Sequence, residues 1–211
     1  RLYRSEKPDG PYVDYSGETF SLGVEDHSQY GLKMMGNYTF PSLPYSYMAP
    51  GHNSAFVDDD GKLYIVYHQR FSDMGEMHEP RVHQIFRNKD GWLVAAPFAT
   101  QGEELREEGN SSKEIAGTYY YVNHGTDISA EVHEAEEIQL TAGGKIKDSS
   151  GKNIGEFVTE ENSPYITLST DEGEYEGVLV DMEDEAGNPV LCFTAAGENN
   201  QSVWGVKYLK E

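Results

Sequence analysis

The stretch Ser54-Ala-Phe-Val-Asp-Asp-Asp-Gly-Lys-Leu-Tyr-Ile-Val-Tyr67 holds two apolar runs on either side of an Asp-Gly turn. Asp-Gly supplies the backbone a tight reversal needs, so the pattern reads as a β-hairpin. It repeats at once: Arg81-Val-His-Gln-Ile-Phe86, the turn Asn88-Lys-Asp-Gly91, then Trp92-Leu-Val-Ala95. Two consecutive hairpins predict a four-stranded antiparallel sheet, the unit from which β-propeller blades are built. One blade cannot bury both of its faces alone, so more chain is expected beside it.

Working outward, residues 1–50 are irregular and rich in turn signals such as Lys7-Pro-Asp-Gly-Pro11, with a β-type segment between Gly31 and Phe40. The polar run 100–114 reads as a linker or a short exposed helix and places a domain boundary there. Beyond it come short β-type segments at regular spacing. They are Gly117–Asn123, Glu134–Leu140, Lys145–Asp148, Glu156–Val158, Tyr165–Thr170, Glu174–Asp181, Pro189–Ala196 and Val203–Leu209. Such spacing, with turns at Ala142-Gly-Gly144 and Ala186-Gly-Asn188, suggests a small barrel or a sandwich. No long amphipathic helix is visible.

Composition narrows the function. Asp and Glu total 37 against 16 Lys and Arg, a formal charge of −21. That field repels phosphate backbones, anionic lipid and polyanionic polysaccharide, and leaves a neutral polymer or a cation as compatible partners. No apolar run reaches the ~18 residues of a membrane-spanning helix. The opening Arg1-Leu-Tyr-Arg4 reads as the end of a strand, so further residues are expected to precede it. Cys192 is the single cysteine, inside the apolar run Pro189-Val-Leu-Cys-Phe-Thr194, and is expected as a buried thiol.

A family resemblance lies in an ordered set of motifs across residues 1–98. These are Arg4-Ser-Glu-Lys-Pro-Asp-Gly-Pro-Tyr-Val-Asp14, Met35-Gly-Asn-Tyr38, Pro50-Gly-His-Asn-Ser54, Tyr67-His-Gln-Arg70, Gly75-Glu-Met-His-Glu-Pro-Arg-Val-His-Gln84 and Asn88-Lys-Asp-Gly-Trp-Leu-Val94. The set resembles the family 43 glycoside hydrolases, in particular the endo-1,5-α-L-arabinanases that carry an accessory C-terminal domain. The resemblance implies an all-β chain: the final part of a five-bladed β-propeller over residues 1–99, a linker over 100–114, and a small antiparallel, lipocalin-like β-barrel over 115–211. It implies secretion, arabinan or arabino-oligosaccharide as substrate, and inverting hydrolysis by three carboxylates. An inverting pair stands ~6.5–9.5 Å apart so that water fits at the anomeric carbon. By this resemblance all three carboxylates precede Arg4. No catalytic residue is therefore expected in this chain, and a companion N-terminal polypeptide is.

Within the motifs, the resemblance implies that His52 contacts a calcium ion on the propeller axis. Calcium prefers oxygen ligands, so a single His requires waters to complete the shell. Asn53 and Ser54 are candidates for bonding those waters, or for local turn capping. His68 and Arg70 close the following strand. Arg70 there suits sugar hydroxyls, a bidentate contact to a catalytic carboxylate, or an ion pair between blades. His78, Glu79, Arg81 and His83 cluster in sequence, but the spacing does not fit a zinc helix and Pro80 intervenes, so an interface network is expected. Alternation puts Tyr119 and Tyr121 on one face of their strand. A non-catalytic carbohydrate-binding module is the alternative to the hydrolase reading.

Overall fold

The computed structural model describes residues 1–23 and 25–208. The architecture is all-β, in two parts. The first hairpin forms β2 (Tyr47–Val57) and β3 (Leu63–Phe71), and the second forms β4 (His78–Arg87) and β5 (Leu93–Ala95). They pair antiparallel, as their turn chemistry dictates, with Val57 opposite Leu63 and Arg87 opposite Leu93. The short β1 (Tyr38–Thr39) extends the sheet past β2, and β7 (His133–Glu134) joins β1 in parallel, giving six strands in the order β5-β4-β3-β2-β1-β7. Only Tyr38–Thr39 of the expected 31–40 segment is a strand, because Pro41 and Pro44 follow it and remove ladder donors. Residues 1–36 wind around the molecule with isolated bridges such as Leu2 to Leu32.

The remaining strands are β6 (Gly117–Asn123), β8 (Glu136–Leu140), β9 (Lys145–Asp148), β10 (Asn153–Thr159), β11 (Tyr165–Thr170), β12 (Gly173–Glu183), β13 (Pro189–Gly197) and β14 (Ser202–Tyr208). They close into an eight-stranded barrel in the order β10-β11-β12-β13-β14-β6-β8-β9, which settles the choice between barrel and sandwich. Leu209, the last residue of the expected final strand, lies outside the described residues. In the 100–114 stretch the one helix among the described residues is α1 (Ser112–Ile115). Its capping box is closed by Ser111 and Glu114, satisfying otherwise orphaned N–H groups. Ile115 plugs one end of the barrel, its carbonyl accepting from the Tyr119 hydroxyl at 2.7 Å.

Alternation along the barrel strands sorts their side chains into two cores. Tyr119, Ile138, Leu168, Tyr175, Leu179, Phe193 and Val203 fill the interior. Val122, Val178, Val180, Met182, Cys192, Trp204 and Val206 face outward and join Phe71, Phe86, Trp92 and Val94 of the sheet in one continuous apolar cluster. Strands β12 and β13 are therefore covered on both faces, one by the lumen and one by the sheet. Cys192 is the buried thiol its sequence context predicts, with burial pushing its pKa up.

His83 sits in this seam, fully buried. Its Nδ1–H donates to the Ala96 carbonyl at 2.7 Å, which leaves Nε2 to accept from the Tyr67 hydroxyl at 3.1 Å. The neutral form satisfies both nitrogens, and burial pushes the imidazole pKa down to about 4. The unfolded chain takes up a proton on this group near pH ~6.5, well before the folded one does. Stability is therefore expected to fall as pH drops through the window between those values, by roughly 2–3 kcal/mol from this group alone. Urea midpoints at pH 7.5 and 4.5, compared with those of His83→Gln, check this. A pH dependence identical in the two proteins contradicts it.

Candidate functional site

Strand β2 is the free flank of the blade over its second half, and residues 52–57 are exposed. It does not run straight. The ladder to β3 breaks between Met48 and Gly51 and again between Gly51 and Ser54, and both Ala49 and His52 take positive φ, 45° and 47°. Left-handed backbone at two non-glycine residues is strained and persists only where the surroundings enforce it. Two buried amides do so here. Asn37 Oδ1 accepts the Ala49 N–H at 2.6 Å, and Gln69 Nε2 donates to the Met48 carbonyl at 2.6 Å. Gln69 is fully buried in β3, although its sequence neighbours suggest a surface amide.

The double bulge turns His52 back over His68. Their Nδ1 atoms are 3.0 Å apart, and the rings lie 4.9 Å centroid to centroid. Gly51 makes room, since a Cβ there would stand 3.3 Å from His68 Nε2. One ring donates and the other accepts in this contact. With His52 Nδ1–H as the donor, its Nε2 lone pair is directed away from the contact, the form in which imidazole binds a metal. Partial desolvation, with His52, His78 and Arg70 nearby, holds the His68 pKa below its ordinary value and favours this neutral form.

His78 completes a row of three rings, 5.3 Å from His68, because the register sets Arg70 opposite His78. The sequence cluster is thus divided: His78 joins His52 and His68, while His83 is buried in the seam to the barrel. Arg81 pairs with Glu79 at 2.8 Å and lies over the rings of Tyr47 and Phe71. Arg70 makes an ion pair within the β3–β4 hairpin, to Glu76 at 2.9 Å. Asn53 lines a small recess with Pro50, Gly51, Met35 and Tyr67, whereas Ser54 is exposed on β2. Among the described residues no group of three or more His, Cys, Asp or Glu is arranged to hold a metal. Among the described residues, His52 Nε2 is the imidazole nitrogen placed to meet a hydrated cation, without a surrounding cage. Sequence reading missed Asn37 and Gln69, the residues that shape the bulge, because nothing local in a strand marks an amide that bonds a neighbouring strand's bulge.

Replacing Asn37 by Ala leaves the Ala49 N–H without its acceptor and is expected to cost about 1–2 kcal/mol. Urea denaturation, with 15N shifts of the His52 ring, reads both the stability and the release of the His52–His68 contact. A variant unchanged in both refutes the assigned role.

Comparison with known proteins places this arrangement. The extracellular endo-α-(1→5)-L-arabinanase 2 of Bacillus subtilis (strain 168) is 40% identical over 222 aligned residues, covering 98% of this chain and 46% of that protein. The extracellular endo-α-(1→5)-L-arabinanase of Thermotoga petrophila is 37% identical over the same share of each. Among solved structures, the glycoside hydrolase family 43 YxiA protein of Bacillus licheniformis superposes with a TM-score of 0.89 at 38% identity, over 100% of this chain and 48% of that one. The T. petrophila endo-1,5-α-L-arabinanase bound to TRIS gives 0.90 at 36%, over 99% and 48%. The chain thus spans about half the length of the relatives it matches. Residues 97–205 match the family model GH43_C, a C-terminal lipocalin-like domain. Since that match takes in more than half of the chain, the chain belongs to the GH43_C family.

Proposed function

We propose that this chain is the C-terminal portion of a secreted glycoside hydrolase that cleaves α-1,5-L-arabinofuranosidic linkages in arabinan with inversion. Residues 1–99 end its five-bladed propeller, 100–114 connect, and 115–211 form the accessory barrel. The observation that carries the reading is the full-length likeness to one half, and only one half, of two arabinanases. An exposed innermost strand β2, with Phe56 and Val57 uncovered, is what a blade without its neighbour would present. The catalytic carboxylates belong, on this reading, to a preceding N-terminal portion, whether on the same polypeptide or a companion one.

This chain's own contribution is positional. His68 holds His52 through Nδ1, and Asn37 and Gln69 hold the bulge on which both depend. Nε2 of His52 would be one ligand to calcium, waters completing the shell, and a bound dication would supply fixed positive charge beside it. Asn53 and Ser54 are placed to bond its waters, and Arg70, tied to Glu76, lies at the end of the same row.

The test is hydrolysis of linear α-1,5-arabinan, followed by reducing-end release. The chain alone is expected to be inactive. The chain joined to the N-terminal half of the B. subtilis relative is expected to be active, and His52→Ala in that chimera to lose at least about tenfold in kcat/KM. A folded chimera without activity, or hydrolysis by the chain alone, overturns the proposal.

A further inference from the structure

The barrel is closed at the α1 end and open at the other. Around that mouth Tyr121, Ile138, Ile146, Ile154 and Leu168 line a cavity of about 220 Å³. Four aliphatic side chains and one aromatic ring make its walls mostly apolar, and the hydroxyl of Thr170, the other wall residue, is taken by the Gly173 carbonyl at 3.3 Å. The rim differs in kind, being formed by Glu136 at the start of β8 and by Asp171 and Glu172 in the β11–β12 turn. No residue lining the cavity carries positive charge.

The two zones select a ligand. A cavity of this size equals the bulk volume of about seven waters, and smaller apolar cavities take up benzene. A sugar ring would strand most of its hydroxyls against the aliphatic walls, at a cost in free energy for each unpaired group. A fatty acid would bring a fourth carboxylate beside three, in a chain whose formal charge is already −21. A short apolar body carrying a cationic head meets both requirements: the body displaces water from the walls, and the head lies among the rim carboxylates. Tyr121 supports this placement. Its ring is a wall, no described residue hydrogen-bonds its hydroxyl, and an ammonium head could approach the ring face. The rim is itself held in shape, since Glu172 accepts from Asn123 Nδ2 at 2.8 Å and its carbonyl accepts from Asn199 at 3.0 Å.

We infer that the mouth of the barrel is a binding site for a small amphiphilic cation, an alkyl- or arylammonium, distinct from the His52 region. The site does not depend on the hydrolase reading, because every residue it uses lies within the barrel.

The experiment is calorimetric titration of the full chain with n-hexylammonium, hexan-1-ol and hexanoate, which share a body and differ in the head. Saturable binding of the ammonium is expected, at least tenfold tighter than the alcohol, with none by the carboxylate. Glu136→Gln, Asp171→Asn and Glu172→Gln together should erase the advantage of ammonium over alcohol while leaving the alcohol unaffected. Ile154→Trp, at a half-buried position of the wall, should abolish binding of both, with folding checked by circular dichroism. Equal affinity for the three heads, no saturable binding, or binding untouched by Ile154→Trp would overturn the inference. Displacement of hexylammonium by linear arabino-oligosaccharides would overturn it too, by assigning the cavity to sugar.

Discussion

Replacing Trp204 by Ala is expected to lower the free energy of unfolding by about 3–5 kcal/mol, the range for removing a large aromatic from a core. Trp204 is fully buried on the outward face of β14, where the sheet and the barrel meet. Its ring packs edge-on against Tyr38 of β1 at 5.0 Å and against His124 at 4.2 Å, and lies parallel to His83 of β4 at 6.3 Å. These three partners come from both parts of the chain and cannot all move inward to refill the space, so a cavity remains. At about 2–4 °C per kcal/mol for a chain of this size, the melting temperature should drop by roughly 10 °C. Calorimetry checks this, and it should also show sheet and barrel still melting together or newly separated. A loss under about 1 kcal/mol would mean that the seam between them contributes little.

The second large effect concerns Gly177, on the lumen side of β12 opposite Ala195 of β13. A Cβ there would stand 2.0 Å from the Thr194 carbonyl oxygen and 2.5 Å from the Ala195 Cβ. Two strands of a closed barrel cannot separate without opening the ladders on either side. Gly177→Val is therefore expected to cost at least about 3 kcal/mol, the upper end of ordinary overpacking. Urea denaturation of the two proteins measures it, and a variant within 1 kcal/mol of wild type shows that β12 and β13 approach less closely than described. Gly205 has the same logic with a softer partner, because its missing side chain leaves the space that the Phe193 ring fills.

Much of this fold is legible in the sequence for a local reason. Asp59-Asp60-Gly61 and Lys89-Asp90-Gly91 fix their hairpins by turn chemistry, and glycines at positive φ, 87° and 78°, occupy the positions that demand them. The barrel strands are legible because turn residues punctuate them at regular spacing. Closure is not: it depends on β14 pairing with β6 across eighty or more residues, which no local pattern specifies. Alternation also fails on β12 and β13, whose both faces are covered.

The candidate site divides in the same way. His52 and His68 were readable as motif residues. Their contact was not, because it requires two bulges held by Asn37 from a distant loop and by Gln69 from the next strand. His78 was readable as a histidine but not as the neighbour of His68, which only the β3–β4 register supplies.

We propose that a preceding portion of propeller covers β2. Amide hydrogen exchange over Tyr47–Val57 tests it most directly, measured in the chain alone and in the chain joined to the N-terminal half of the B. subtilis relative. Rapid exchange is expected in the chain alone at those amides of His52–Val57 that do not bond β3, and at least about tenfold slower exchange there in the joined protein, with the barrel interior unchanged. Equal rates in the two proteins would contradict it.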